Sequence, residues 1–173
     1  VQSAIVSRRK GFLLAGAAFW LLAPFAQAAD LPTGGQIVGG SGSIAQAGNA
    51  MTITQNSAQL NATWDSFSIG AGHSVTFNQP SADAVAVNRV LGSDVSTIQG
   101  SLTANGHVFL INPNGVTFTP DAQVNVGGLV ASTLDLKDAD FAAGKYTFEG
   151  DSDKAVTNRG HINAANGGTV ALI

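Results

Sequence analysis

One segment of this chain occurs three times in similar form, and this repetition limits the folds open to it. Residues 100–111 read Gly-Ser-Leu-Thr-Ala-Asn-Gly-His-Val-Phe-Leu-Ile, and residues 42–53 keep the same spacing of glycine, aliphatic residue, turn and strand. A third copy, residues 160–173, is longer by two residues. Repeats of about twenty residues that bury one face only by stacking are typical of solenoids. Because helical spacing is absent, the repeats predict a parallel β-helix from about residue 40 onward.

Strand and turn residues dominate the chain after residue 28, which predicts an all-β fold. Glycine recurs every few positions, often beside Asn or Asp, between runs of Val, Ile, Thr and Phe. Residues 135–143 show weak helical spacing and are predicted to form a loop or one helical turn. Because Asn-Gly also marks two-residue hairpins, a β-sandwich stays open as the alternative. The clearest predicted strands are residues 75–77, 85–87, 108–111, 116–118, 124–126 and 170–173. The residues predicted to face the core of the β-helix include Ile44, Ile53, Leu102, Val108, Leu110, Ile162 and Val170.

The sequence Asn-Pro-Asn-Gly at residues 112–115 predicts a rigid corner between two buried strands. Pro113 fixes φ at about −65°, which suits the second position of a type I turn. Asn114 and Gly115 suit the third and fourth positions. Asn112 is held extended because it precedes proline, and its side chain can accept a hydrogen bond from the backbone two residues on. On local chemistry alone, these residues are a structural corner.

The N-terminus has the organisation of a secretory signal peptide. Three basic residues at positions 8–10 precede an apolar run over residues 11–25, and Ala26-Gln27-Ala28 supplies the small residues that a signal peptidase reads. The run is short for a membrane span, although an uncleaved anchor and a twin-arginine route stay open. We therefore expect a signal peptide at residues 1–28 and a mature domain at residues 29–173.

Charge and cysteine content narrow the function classes. After residue 28 the chain keeps five basic residues against all eleven acidic ones, a balance that argues against nucleic acid or an anionic bilayer as a partner. The chain has no cysteine, so it has neither a disulfide framework nor thiol chemistry.

Residues for catalysis or metal binding are not grouped in any recognisable motif. The carboxylate pairs Asp138/Asp140 and Asp151/Asp153 are too few for a calcium site and are predicted to lie in exposed charged loops. Glycan-cleaving β-helices need several carboxylates or basic residues in one groove, whereas the acids here are scattered. The three histidines are predicted to be solvated turn residues: His73, His107 and His161. We therefore expect no enzyme activity, no catalytic residue, no metal and no cofactor.

Five blocks in order resemble the N-terminal secretion domain of two-partner secretion exoproteins, the filamentous-haemagglutinin-like family. The similarity runs from about residue 31 to residue 173, and the blocks are residues 78–81, 84–90, 98–100, 105–116 and 128–133. The corner matches the family's Asn-Pro-Asn-Gly-Ile motif, with Val116 in place of isoleucine. The family's second motif, Asn-Pro-Asn-Leu, is missing from this chain. In this respect the chain resembles the branch of the family that includes high-molecular-weight adhesins and haem-haemopexin-binding proteins.

The resemblance implies a fold and a role. The fold is a right-handed parallel β-helix with an N-terminal cap and a few extra antiparallel strands, and residues 31–40 are the place for the first cap strand. The role is a secretion-targeting module that the periplasmic receptor domains of a dedicated outer-membrane transporter recognise. The module meets the membrane only in transit, nucleates β-helix folding outside, and belongs to a secreted or surface protein, expected to be a monomer. Growth coil by coil suits this role, because each coil templates the next.

The resemblance also assigns particular residues to the secretion motif. It leaves open the function of the passenger, which is the larger protein that the domain exports. The passenger is expected to be an adhesin or haemagglutinin, with a haem- or haemopexin-acquisition exoprotein as the alternative and a β-helical glycan-active enzyme as a third reading. Because the chain stops inside a predicted strand, we expect it to be the start of a longer exoprotein or a very short member of the family. The secretion motif consists of Asn112, Pro113, Asn114, Gly115 and Val116. Supporting family positions are Asn88, Arg89, Asn105, Gly106, Ala131, Ser132 and Thr133.

Overall fold

The computed structural model describes residues 30–173, and the signal peptide predicted at residues 1–28 lies outside the described residues. The described part forms seventeen short strands and one short helix. No helix within residues 30–173 is long and apolar enough to cross a membrane. In chain order the elements are β1 Gln36–Gly39, β2 Gly42–Ala47, β3 Ala50–Gln55, β4 Gln59–Trp64, β5 Ser74–Asn78, β6 Val85–Val90, β7 Ser96–Ile98, β8 Ser101–Ala104, β9 His107–Ile111, β10 Val116–Phe118, β11 Gln123–Val126, β12 Gly128–Ser132, β13 Asp135–Leu136, α1 Asp138–Ala142, β14 Phe148–Glu149, β15 Val156–Asn158, β16 His161–Ala164 and β17 Val170–Leu172.

The strands wind into a three-sided β-solenoid of about three turns. The front sheet has the order β1-β4-β6-β9-β12-β17, the back sheet β16-β11-β8-β5-β3-β2, and the short sheet β15-β10-β7. Each coil runs from the back sheet through the front sheet to the short sheet, as in β5-β6-β7 and β8-β9-β10. Strands of successive coils pair in parallel. The predicted all-β parallel β-helix is confirmed, and the β-sandwich alternative is wrong.

Apolar side chains at equivalent positions stack along the solenoid axis. The registers of the back sheet place five residues in one inward row: Met51, Val75, Leu102, Val124 and Ile162. Their neighbours in each strand face outward, as the two-residue period of a strand requires. Burial of a large apolar side chain contributes roughly 1.5–3 kcal/mol, so such rows hold successive coils together.

The core predicted from the sequence is confirmed except at its far end. The fully buried members are Ile53, Leu102, Val108 and Leu110. Ile44 and Ile162 are partly buried and pack against the core. Val170 is 44% exposed, because β17 is the outermost strand that the structure describes in the front sheet. The predicted strands coincide with β5, β6, β9, β10, β11 and β17.

The first sequence repeat folds differently from the other two. Residues 42–53 form the antiparallel hairpin of β2 and β3, whereas residues 100–111 and 160–173 pass from the back sheet to the front sheet. The chain reverses at Gly48, which has a φ of 57° and at which a Cβ would meet no heavy atom within 4 Å. The prediction that residues 42–53 form a coil is therefore wrong, and parallel pairing starts at β3. The hairpin and β1, which is antiparallel to β4, form the expected N-terminal cap.

Glycines occupy the corner between the back sheet and the front sheet in three successive coils. Gly106, Gly127 and Gly168 lie between β8 and β9, between β11 and β12, and between β16 and β17. A Cβ at Gly127 would lie 2.7 Å from the carbonyl oxygen of Gly106, and a Cβ at Gly168 would press on the carbonyl of Gly127. Only glycine therefore fits here at this spacing of the coils.

Residues 133–155, here called the insert, leave the solenoid after β12 and return at β15. The insert contains β13, α1 and β14, and α1 agrees with the single helical turn predicted for residues 135–143. It packs on the outer face of the front sheet, where the rings of Phe109 and Tyr146 meet edge to face at 5.0 Å. The apolar cluster between sheet and insert contains Val85, Val87, Phe109, Ile111, Val130, Leu136 and Phe141.

Candidate functional site

The predicted corner at residues 112–115 joins β9 of the front sheet to β10 of the short sheet. The Gly115 N–H donates to the Asn112 carbonyl at 3.0 Å, which closes a four-residue turn. Gly115 has a φ of 111°, a conformation that residues with a Cβ rarely adopt. Val116, the first residue of β10, is fully buried in the solenoid core. The predicted corner between two buried strands is confirmed.

The Asn112 side chain is fully buried and every polar group of its amide is used. Its Oδ1 accepts from the Asn114 N–H at 2.9 Å, the backbone two residues on, as predicted from the sequence. Its Nδ2 donates to the Asp94 carbonyl at 2.9 Å and to the Ser96 Oγ at 2.9 Å. Asp94 and Ser96 belong to the preceding coil, so Asn112 fastens its own coil to the one before.

The rest of the corner continues this fastening in both directions along the axis. The Asn114 Nδ2 donates to the Gly92 carbonyl of the preceding coil at 2.8 Å. On the other side, the exposed Pro113 offers its carbonyl to the Ser152 Oγ at 2.7 Å. The Val116 N–H donates to the Ala155 carbonyl at 3.2 Å. The corner therefore contacts chain segments that come both before and after it.

The predicted residues 131–133 lie directly beside the corner in the next coil. Ala131 faces the core, and the Ser132 carbonyl accepts from the Asn112 N–H at 2.9 Å. The Ser132 Oγ accepts from the Leu134 N–H at 2.9 Å, which starts the insert. Thr133 donates its N–H to the Ile173 carbonyl at 3.0 Å. These residues support the corner and mark the point where the insert leaves the solenoid.

Asn88 and Arg89 are adjacent in β6 but face opposite sides of the front sheet. Asn88 is fully buried in the core, where its Oδ1 accepts from Trp64 Nε1 at 3.0 Å. Arg89 points outward under the insert, where Asp135 and Asp138 each approach its guanidinium at 2.9 Å. Arg89 also donates to the Leu136 carbonyl. The first residue therefore completes the core and the second anchors the insert.

Asn105 and Gly106 belong to the other corner of the same coil, between the back and front sheets. The Asn105 Oδ1 accepts from the Gln79 N–H at 2.7 Å, and its Nδ2 donates to the Gln79 carbonyl at 2.8 Å. The Gln79 Oε1 in turn accepts from the Gly106 N–H at 2.9 Å. Its Nε2 donates to the Gln55 Oε1 at 3.1 Å, so a chain of amide side chains connects three coils, with Gln55 and Gln79 buried and Asn105 exposed.

The predicted positions therefore form stacked corners and strand contacts, and they do not converge on one pocket. Sequence reasoning missed four buried polar partners as site residues: Gln55, Trp64, Gln79 and Ser96. Gln79 stands in one of the family blocks, but nothing in the local pattern marks the other three. The corner groups are amides and hydroxyls, which hold strands together and have no acid or base of their own.

Ionisable side chains are spread over the surface and the insert. Within residues 30–173, no three His, Asp or Glu side chains come together as metal ligands. Asp138 is exposed as predicted, but it is the first residue of α1 and its carboxylate contacts Arg89, so it does not lie in a loop. Lys137, the residue after β13, binds Glu149 of β14 at 2.7 Å, and this hydrogen bond and the Glu149 charge raise the pKa of Lys137.

Known proteins resemble this chain in both sequence and structure. A Heme/hemopexin-binding protein of Haemophilus influenzae strain Rd is 50% identical over 115 residues, which is 66% of this chain and 13% of that protein. A second Haemophilus influenzae protein of that description is 44% identical over 127 residues, 73% of this chain and 14% of its own length. This chain therefore spans a small part of these relatives. The crystal structure of the HMW1 secretion domain from Haemophilus influenzae matches with a TM-score of 0.71 and 34% identity, over 75% of this chain and 35% of that one.

A family match covers the whole described structure. Residues 26–173 match the family described as the TPS secretion domain, where TPS stands for two-partner secretion. Such domains belong to exported proteins, secreted or held at the cell surface, and a partner outer-membrane transporter recognises them. The expected secretion-targeting role is confirmed, and the chain belongs to the TPS secretion domain family.

Proposed function

We propose that the periplasmic receptor domains of a dedicated outer-membrane transporter recognise this chain, and that residues 112–115 are a determinant of its export. The observation that carries this proposal is the bonding of the corner to both neighbouring coils. Asn112 is satisfied only when the preceding coil presents Asp94 and Ser96. The corner therefore closes when one coil docks on another, which is the step that repeats as a β-solenoid grows.

The corner also has a part that a receptor can reach. Pro113 is exposed and Asn114 is partly exposed, whereas Asn112 is buried. A folded solenoid is about as wide as the lumen of a single-chain transporter barrel, so recognition has to precede complete folding. On this view the corner acts twice, first as part of what the receptor meets in the periplasm and then as a turn that orders folding outside.

The test expresses the chain with its transporter and compares secreted with periplasmic protein for Asn112→Ala and Asn114→Ala. We expect both variants to reduce secretion by more than their loss of stability explains. Asn125→Ala is the matched control, since Asn125 is an exposed asparagine in β11 of the back sheet, whereas the corner joins the front and short sheets. Full secretion of both corner variants, or equal secretion without the transporter, would contradict the proposal.

The same proposal includes the absence of catalytic activity and a monomeric state. The family and the fold are those of a secretion module, and the polar groups of the corners bind other protein groups. Assays with polysaccharide substrates should give no product, and sedimentation should give a single species of monomer mass. Product formation above the level of a blank would contradict the first part, and a concentration-dependent dimer the second.

A second candidate concerns the passenger that the domain exports. Two relatives described as Heme/hemopexin-binding proteins are 50% and 44% identical to this chain, whereas the HMW1 secretion domain is 34% identical. This difference favours a haem- or haemopexin-binding passenger over the adhesin expected from the sequence. The test is binding of haem-loaded haemopexin to the product of the complete gene. Retention on host cells without haemopexin binding would favour the adhesin.

A further inference from the structure

We propose that the free edge of β2 receives a β-strand from the receptor domains of the transporter. This inference rests on the proposed function and names the surface that the receptor uses. β2 is the last strand of the back sheet at the cap end, and no described strand pairs with its outer edge. A row of unpaired backbone donors and acceptors is a template for one kind of ligand, another extended strand.

The pairing of β2 with β3 identifies the groups that face outward along this edge. The Asn56 N–H donates to the Ser41 carbonyl at 2.8 Å, one step before the first registered pair of the hairpin, Gly42 with Gln55. Because hydrogen-bonded pairs alternate in an antiparallel ladder, Ser43 and the residues two and four positions on bond to β3. The backbone N–H and C=O groups of the intervening residues point away from β3: Gly42, Ile44 and Gln46.

The β2 edge lacks the devices that keep other edges from pairing. It is six residues long and contains no charged residue, no proline and no break in register. β1, the other cap strand, has four residues and a register irregularity between Ile37 and Gly39. Bulges, charges and short length are the usual protections of an edge strand. The contrast between β1 and β2 marks β2 as the edge that is kept open.

The location of β2 favours the transporter as the source of the added strand. A solenoid grows at the end opposite its cap, where β16 and β17 lie and where each new coil pairs. A receptor bound at the cap end therefore does not block the end at which coils add. An added strand would also shield Ile44, which packs on the core but is only partly buried.

The β2 edge is available before the solenoid is complete. The hairpin closes through Gly48 and pairs residues close in sequence, such as Ala47 with Ala50. Hairpins form within microseconds, long before contacts between distant segments. A receptor can therefore read this edge on a chain whose coils have not yet formed.

The test uses the full chain, isolated in the form that its host produces. It measures the binding of this chain to the purified receptor domains of its transporter. Gln46→Pro removes one outward N–H, whereas Gln46→Ala at the same position keeps that N–H and removes only the side chain. We expect the proline variant to bind about tenfold more weakly, the effect of one lost hydrogen bond. The alanine variant should bind within about twofold of the parent, since its backbone donor is intact.

Each result separates the inference from the proposed function. If the parent chain binds no receptor domain, both fail. If the parent and Gln46→Pro bind equally, the β2 inference is wrong and the proposed function stands. If Gln46→Pro abolishes a dimer of the chain and leaves receptor binding unchanged, the occupant is a second copy and the inference is overturned. If the proline variant does not fold, hydrogen exchange on the parent complex decides, because the amides of Gly42, Ile44 and Gln46 must gain protection.

Discussion

At the scale of single residues, buried amide side chains connect the coils. Asn112 binds two groups of the preceding coil, and Asn88 binds the indole of Trp64 inside the core. The corner could be predicted from the sequence because its signals are local, since Pro113 restricts the residue before it and Gly115 permits a positive φ. Asn88 could not be assigned a place in this way, because only the coil stacked against it decides whether an asparagine is buried.

The Asn112→Ala variant tests the energetic role of the corner. The substitution leaves the Ser96 hydroxyl, the Asp94 carbonyl and the Asn114 N–H without their partner. We expect a loss of roughly 1–3 kcal/mol in the free energy of unfolding, measured by denaturant melts. Asn125→Ala should stay within about 0.5 kcal/mol of the parent. An unchanged midpoint for Asn112→Ala would mean that the corner contributes nothing to stability.

The Gly115→Val variant tests the backbone of the same turn. Its φ of 111° disfavours a β-branched residue, and a Cβ there would lie 3.2 Å from the Ala155 carbonyl oxygen. We expect a loss of about 1–3 kcal/mol in unfolding free energy. Gly72→Val is the control, because Gly72 has a φ of 74° and a Cβ there would meet no heavy atom within 4 Å. Equal losses would show that strain alone matters, and no loss at Gly115 would contradict the prediction.

At the scale of elements, the same strand-turn-strand pattern serves two connections. In residues 42–53 the turn reverses the chain into a hairpin, and in residues 100–111 it bends the chain from one sheet to the next. Spacing of apolar residues predicts the strands in both cases, but the direction after the turn depends on which neighbouring strand is available. The sequence predicts the insert only as a loop or helical turn, because the anchor of the insert, Arg89, lies far away in sequence.

The Arg89→Met variant tests how the insert is held. Methionine keeps much of the apolar stem and removes the guanidinium that binds Asp135, Asp138 and the Leu136 carbonyl. We expect a loss of about 1–3 kcal/mol in unfolding free energy. Amide exchange in residues 135–149 should become at least about tenfold faster. Lys137→Ala should change neither, since that pair is exposed, and unchanged exchange in Arg89→Met would show that apolar packing alone holds the insert.

At the scale of the whole molecule, stability should vary along the axis. Central strands such as β8 and β9 have partners on both sides, whereas β16 and β17 have a described partner on one side only. Val170 and Leu172 are 44% and 40% exposed, so the last described coil buries less apolar surface than those before it. A stack of coils that contact only their neighbours behaves as a linear array whose ends open first.

Hydrogen exchange of individual amides measures this gradient. We expect the amides of β8 and β9 to exchange at the slowest rates and those of β16 and β17 at least about tenfold faster. Val108 and Leu172 are convenient reporters for the two regions, since both face the inside of the front sheet. Equal protection in both regions would show that the domain opens as one cooperative unit.

The glycine corner makes a point substitution a defect of the whole stack. Stacked layers of a crystal behave in the same way: a misfit between two layers that neither layer can absorb displaces the layers that follow. A side chain at Gly127 would push against the backbone of the layer below, and every later layer would inherit the displacement. Gly106, Gly127 and Gly168 therefore set the distance between successive coils at the corner between the back sheet and the front sheet. An added layer that stacked as closely as these three would need a glycine at the same point.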